Sequence, residues 1–413
     1  MAIEKVNSTD EFKQLVKDIK NQYDYKEAIA FGISRVDCGQ KNSDKVLQAN
    51  YVIVNFKENY GSEAIFIKAL SEAGIKVDTT ASDFTATINS DFLSNAMNAF
   101  APYIDEATGD AHKNVQVIKA LSKIDDLDNK FKITFIFEDT NPTSVEAVYL
   151  KLYALSLGKA ELRGLNLNGA FGILSNVAWV GNTPYELEYL RDNEIEMKLN
   201  GTYPNVDSVD KFPRFLQHII PADNTRILDS SKVRMGAQLA AGTTVMPGAS
   251  YINFNAGTLG AVMVEGRISS SAIVGAGSDV GGGASILGVL SGTDGNPISV
   301  GKNTLLGANS VTGMPIGDGC ILDAGVTILE GTKVKIDYNE IRKIEEVNPD
   351  NILCDDELYM AVKELDKEIE GHIILKAKQL MNLNGIHFRQ NSTTGETIAQ
   401  RSVREIKLND ELH

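Results

Sequence analysis

The stretch NFNAGTLGAVMVEGRISSSAIVGAGSDVGGGASILG, residues 253–288, decides the fold. Its Val262, Ile268, Val274, Val280 and Ile286 recur every six residues, a period that neither a helix nor a ladder strand produces. The same interval joins Val233, Leu239 and Val245 upstream and Ile316, Leu322, Ile328 and Val334 downstream. Four residues after many of these the side chain is small: Ala237, Thr243, Ala272, Ser278, Ala284, Cys320 and Thr332. Hexads with one large and one small inward side chain are what a coil of three short flat faces needs, about eighteen residues to a turn. Gly275, Gly281 and Gly317 directly follow aliphatics and suit its corners, where φ is positive or backbones approach closely. Interruptions around residues 247–260 and 288–297 break the count and are expected to be loops leaving a corner.

Working outward, composition separates this region from the rest. Of 35 glycines in 413 residues, 21 fall in residues 233–334, where 10 residues are Asp, Glu, Lys or Arg. A flexible Gly-rich linker would not hold Val and Ile in register. Upstream, residues 28–34, 51–56 and 132–139 are strand-like, while residues 62–74 and 144–158 have helical spacing behind serines suited to capping. Two prolines and turn residues between 201 and 215 mark a boundary. Downstream, residues 355–381 read as a helix and residues 385–402 as a strand, a polar turn and a strand. The expected organisation is an α/β domain over 1–220, the repeat over 221–336 and a small α+β cap over 337–413.

The net charge of −15 argues against nucleic acid as a partner, although a local basic cluster could still take an anionic metabolite. Cys38, Cys320 and Cys354 are odd in number and widely spaced, with no CxxC, which suggests neither a disulfide framework nor a zinc site. The polar start and the lack of any run of about 18 apolar residues give no membrane partner and a cytoplasmic expectation.

The hexad pattern resembles the hexapeptide-repeat left-handed parallel β-helix, an architecture that implies trimers with sites between subunits and acyl transfer from coenzyme A or carrier-protein thioesters. The five histidines, His112, His218, His372, His387 and His413, all lie outside the repeat. Zinc hydratase chemistry and histidine-dependent acetyl transfer are therefore poor fits. Glu265, a lone carboxylate among small and apolar residues, becomes the candidate for proton work; its bland alternative is an exposed residue paired with a neighbouring arginine.

Residues 253–288, continued by SVGKNTLLGANS (299–310) and DAGVTILEGT (323–332), resemble the tetrahydrodipicolinate N-succinyltransferases, in their longer actinobacterial-type branch. The close resemblance covers roughly residues 210–400. It implies succinyl transfer from succinyl-CoA to the amine of L-2-amino-6-oxopimelate, the ring-opened acceptor, on the route to diaminopimelate and lysine. It further implies that Glu265 is catalytic, as a base or as the nucleophile forming an acyl-anhydride, and that the Gly288 N–H holds the oxyanion. Arg267 matches a ligand-binding position. Gly282, Ser285, Ala308, Asp323, Ala324 and Gly331 match the coenzyme tunnel, and Lys343 with Arg389, Gln390, Asn391 and Ser392 match positions near the coenzyme phosphates. Some relatives bind magnesium through acidic residues before NFNAG; here VMPGASYINFN carries Ala249 and Ser250 and no carboxylate, so no metal is expected. Acetyl transfer to the same acceptor and a non-catalytic hexapeptide scaffold remain the competing readings.

Overall fold

The structure, a computed structural model, describes residues 2–127, 129–289, 295–355, 359–360 and 370–403. Contacts divide the chain into two compact units, Met1–Pro213 and Arg214–His413.

In the first unit, the strands β1 (Ala30–Cys38), β2 (Val46–Phe56), β3 (Asp83–Thr87) and β4 (Phe131–Ile136) form a sheet in the order β2-β1-β4-β3. Every pairing is antiparallel, so the expected mixture of helix and strand is present without parallel βαβ connectivity. Helices α1 (Thr9–Lys20), α2 (Tyr60–Glu72), α3 (Ser90–Ala99) and α4 (Lys113–Leu121) contribute to a core in which Phe31, Phe66, Phe92, Phe100 and Phe135 are buried together. Ser144 caps α5 (Val145–Ser156), its side chain accepting from the Ala147 N–H, as the sequence suggests. Ser62 is no cap: it lies inside α2, whose N-cap is Asn59. Helix α5 is buried from Glu146 to Ser156, including Lys151, whose ammonium donates to Asp139 Oδ1 and to the carbonyls of Thr140 and Asn166.

The second unit is a parallel coil. Its chain visits three faces in rotation. Face 1 holds Thr244–Val245, Val262–Val264, Ser278–Val280, Leu305–Leu306 and Ile321–Leu322; face 2 holds Tyr251–Ile252, Arg267–Ile268, Ser285–Ile286, Val311–Gly313 and Thr327–Leu329; face 3 holds Gly257–Thr258, Ile273–Val274 and Ser299–Val300. Inward residues Val264, Ile268, Val274, Val280 and Ile286 are fully buried, as are the small Ala272, Ser278 and Ala284. Dispersion and burial along this axis hold the coil, because strands of two or three residues make few ladder bonds each.

The six-residue count needs two corrections. Ile252 pairs with Ile268 and Val264 with Val280, sixteen residues apart rather than eighteen, because the corner after Val264 is shortened to Glu265 and Gly266. Val264 therefore stands in line with Val280, and Val262 pairs with Ser278. Residues 247–260 are not a loop: Tyr251–Ile252 and Gly257–Thr258 are rungs of faces 2 and 3. The interruption at 288–297 does lengthen its turn, Ile286 pairing with Thr312, twenty-six residues on; residues 290–294 lie outside the described set.

The segment 355–381 is not one helix. His372–Lys376 is a strand antiparallel to Lys333–Asp337, an arrangement that the β-branched pair Ile373 and Ile374 favours; residues 356–358 and 361–369 are outside the described set. A helix that the sequence reading missed, Tyr338–Glu346, follows the last repeat strand. Ile386–Gln390 and Thr397–Arg401 form the expected hairpin, and the first of these strands runs parallel beside Ile321–Leu322. Cys320 fixes that junction, its sulfur accepting from the Ile386 N–H at 3.3 Å.

Candidate active site

The corner between faces 1 and 2 recurs at the same place in every turn. Since Val264, Val280, Leu306, Leu322 and Phe388 stack in register, the residues that follow them stack as well: Glu265, then Gly281 to Gly283, Gly307 to Asn309, Asp323 to Gly325, and Arg389. Backbone bonds lock the stack, from Gly283 N–H to Glu265 O (3.2 Å), Asn309 N–H to Gly282 O (2.9 Å) and Gly325 N–H to Ala308 O (2.9 Å). Strand spacing of about 4.8 Å puts Glu265 and Arg389 about 19 Å apart along this edge. Between them Gly282, Ala308 and Ala324 leave it almost bare of side chains. Such an edge suits an extended arm better than a compact ligand.

Glu265 sits at one end because Gly266 lets the corner close. A Cβ on Gly266 would fall 2.3 Å from Ala284 O, so no other residue fits without moving the next turn. The Glu265 side chain is half-buried and faces a cavity of about 410 Å³ lined also by Met246, Pro247, Ala249, Gly282, Gly283 and Asn309. Among the described residues its carboxylate has no hydrogen-bond or ion-pair partner. Pairing with the nearby arginine does not occur: Arg267 is directed to Ser285, donating from Nε (3.1 Å) and Nη2 (2.7 Å) to its Oγ. A carboxylate left unpaired beside a cavity is available as a proton acceptor.

At the other end, Asp323 holds two side chains of the hairpin. His387 Nε2 lies 2.7 Å from Asp323 Oδ1, and Arg389 Nε donates to Oδ2 at 3.0 Å. Burial alone would raise the Asp323 carboxyl, but the hydrogen bonds and charges of His387 and Arg389 overcome it and hold the group below the usual aspartate range. Sequence reading placed every histidine outside the repeat, yet Ile386–Gln390 extends face 1 and carries His387 onto the edge. Alternation along IHFRQ does put His387 and Arg389 on one face; the partner, 64 residues away from His387, was not legible.

Other expected site residues lie elsewhere. Gly288 follows face 2, on the corner between faces 2 and 3, and Gly331 follows the face 2 strand Thr327–Leu329. Arg267 and Ser285 lie on face 2, between these two corners. Thus one chain does not bring Gly288 beside Glu265. Lys343 is on the helix Tyr338–Glu346, where Glu340 binds its ammonium at 2.6 Å. Asn391 builds the hairpin turn, its Oδ1 accepting from the N–H groups of Thr393 and Thr394, while Gln390 reaches Gly395 O and Ser392 is exposed. Asn309, Met246 and Pro247 are cavity residues that sequence reasoning missed; the tightened corner that assembles them had no six-residue signature.

Comparison with known proteins gives a consistent picture. Residues 10–172 match the N-terminal domain of tetrahydrodipicolinate N-succinyltransferase, residues 174–214 its middle domain, and residues 297–330 the hexapeptide repeat of succinyl-transferase. The chain is 71% identical over its full length, and that of the relative, to a 2,3,4,5-tetrahydropyridine-2,6-dicarboxylate N-succinyltransferase of Sulfurovum sp.. It is 36% identical to the protein so named in Vibrio cholerae, with 85% of this chain and 90% of the relative covered. A crystal structure of a Campylobacter jejuni protein described as a putative N-succinyltransferase of this type superposes with a TM-score of 0.87 at 52% identity, covering 97% of this chain and 100% of that one. The N-terminal unit, whose sequence suggested no partner or role, is thus a domain shared with these proteins.

Proposed function

The chain belongs to the tetrahydrodipicolinate N-succinyltransferase family, and from that premise we propose that its reaction runs on the edge from Glu265 to Arg389, completed by a second subunit. The protein is a succinyltransferase acting on tetrahydropyridine-2,6-dicarboxylate, in the route to diaminopimelate and lysine. The observation that carries the site assignment is the bare ladder Gly282–Ala308–Ala324, with an unpaired carboxylate at one end and a carboxylate-held arginine at the other.

In this reading the donor is succinyl-CoA. Its pantetheine arm lies along the small-residue ladder, and its phosphates meet the Arg389 end. The acceptor is the ring-opened amino-oxopimelate. Glu265 takes a proton from its amine as the nitrogen attacks the thioester carbonyl; the C–N bond forms, and the oxygen becomes an oxyanion held by the Gly288 N–H. Collapse breaks the C–S bond, and the proton on Glu265 passes to the departing thiolate. The base role is preferred to an anhydride, since a positioned amine needs no covalent intermediate. Arg267, oriented by Ser285, receives a substrate carboxylate.

Gly288 and Glu265 occupy different corners of one coil, and this supports a homotrimer in which each site takes Glu265 from one subunit and Gly288 from its neighbour. The same reading takes the coil as left-handed, the C-terminal hairpin as its cap and the cytoplasm as its location. Among the described residues no helix is long and apolar enough to cross a membrane.

The test is thiol release from succinyl-CoA in the presence of the tetrahydropyridine dicarboxylate. Release with acetyl-CoA at an equal or higher rate would transfer the assignment to acetyl transfer. Failure of coenzyme A to raise the melting temperature would remove the edge as its site.

A further inference from the structure

We infer that His387 is a positioning residue for coenzyme recognition, acting through Asp323 on Arg389; this rests on the proposed use of the edge by coenzyme A. His387 and Arg389 alternate along Ile386–Gln390 and so project from the same face of the strand. That strand lies in register beside Ile321–Leu322, with Leu322 opposite Phe388, so the next residue, Asp323, reaches both. Each carboxylate oxygen has its own donor, His387 Nε2 at 2.7 Å and Arg389 Nε at 3.0 Å.

An ionised carboxylate only accepts hydrogen bonds, so the proton in the first contact belongs to His387 Nε2. The contact thus fixes which ring nitrogen of His387 carries the hydrogen. With Nε committed to Asp323, the guanidinium is held at one edge, and the parallel pair of N–H groups at its far end, one on each terminal nitrogen, is left for a ligand. Among the described residues those nitrogens have no partner. Two parallel N–H donors on a rigid plane match a phosphate in a bidentate fashion, whereas an arginine free to sample its rotamers loses that entropy on binding. Removing His387 frees one oxygen of Asp323 and lets the carboxylate turn. Arg389 then keeps its charge and loses its direction.

The experiment compares succinyl-CoA with the succinyl thioester of pantetheine, which lacks the nucleotide phosphates, in the full-length protein. Wild type should show a lower KM for succinyl-CoA. In His387→Leu the preference should fall about tenfold, the worth of one charge-assisted hydrogen bond, through KM rather than kcat. His387→Gln, whose amide N–H can replace Nε2–H, should recover most of it. Arg389→Ala should lose the preference, and the double variant His387→Leu/Arg389→Ala should be no worse than Arg389→Ala alone. A His387→Leu preference equal to that of wild type, or a double variant showing additive losses, overturns the inference while leaving the edge reading intact. Full preference retained in Arg389→Ala overturns the edge reading itself.

Discussion

Gly282 and Gly283 are adjacent on the proposed coenzyme edge, and replacing each should separate function from folding. A Cβ on Gly282 would meet only Glu265 Oε2, at 3.6 Å, an ordinary contact, and its φ is not positive. Valine there fits the backbone and projects into the cavity of about 410 Å³ beside Glu265. If the acyl end of the donor occupies that space, overpacking costs about 1–3 kcal/mol, or roughly 5- to 150-fold in KM for succinyl-CoA. Gly283 has φ +72°, and its Cβ would fall 2.4 Å from Asn309 Oδ1. Alanine there costs about 1–2 kcal/mol in backbone strain before Asn309 moves, and a unit of this size loses about 2–4 °C per kcal/mol. The assays are initial rates of thiol release against succinyl-CoA concentration and thermal unfolding of both variants. Gly282→Val should keep the wild-type melting temperature and lose affinity for the donor; Gly283→Ala should melt earlier. Wild-type KM in a folded Gly282→Val variant would refute the edge as the donor's path.

Three further outcomes are expected. Glu265→Gln should lower kcat by about 10²–10⁴, the usual worth of a general base, with unchanged melting because the carboxylate has no partner among the described residues; near-wild-type turnover would end its catalytic assignment. In the N-terminal unit, burial pushes the Glu63 carboxyl up to about 8, with the Ala28 N–H bond opposing and Glu27 adding. The folded state then keeps a proton that the unfolded chain releases near 4.5, so stability should fall as pH rises from about 4.5 to 8, by up to about 1.4 kcal/mol per pH unit. Glu63→Gln should flatten that slope in denaturant unfolding followed across this range. Lys151→Met should destabilise the same unit by about 3 kcal/mol in denaturant titration, because Asp139 and two carbonyls lose a buried cation.

The repeat was legible because its period comes from the inward side chains, and Val274, Val280 and Ile286 are completely buried. Register was less legible. The corner at Glu265 and Gly266 removes two residues from the count, and strict sixes place Val262 where Val264 stands. The information was local but belonged to a backbone feature: a glycine that can lie against Ala284 O. Residue type singled out Glu265, yet its pairing could not be read, since whether Arg267 turns to Glu265 or to Ser285 depends on the next turn of the coil. Histidine failed for a similar reason. Counting residues inside the repeat excludes His387, although a returning strand places it beside Asp323.

Net charge gave the weakest guidance, and distance explains why. The chain carries −15, but at physiological salt a surface charge is largely screened beyond about 8 Å. A phosphate arriving at Arg389 would therefore respond mainly to the groups within reach. Asp323 is the nearest of these, and by charge alone it should repel the phosphate. Its geometry reverses that conclusion: the carboxylate is shared between His387 and Arg389 and has its oxygens turned to their donors, so its effect is to aim the guanidinium. Asp323→Asn isolates the balance. It removes the negative charge and one acceptor together, so a purely repulsive aspartate would give tighter succinyl-CoA binding, while an aiming aspartate gives weaker binding. A lower KM in Asp323→Asn would refute the aiming role.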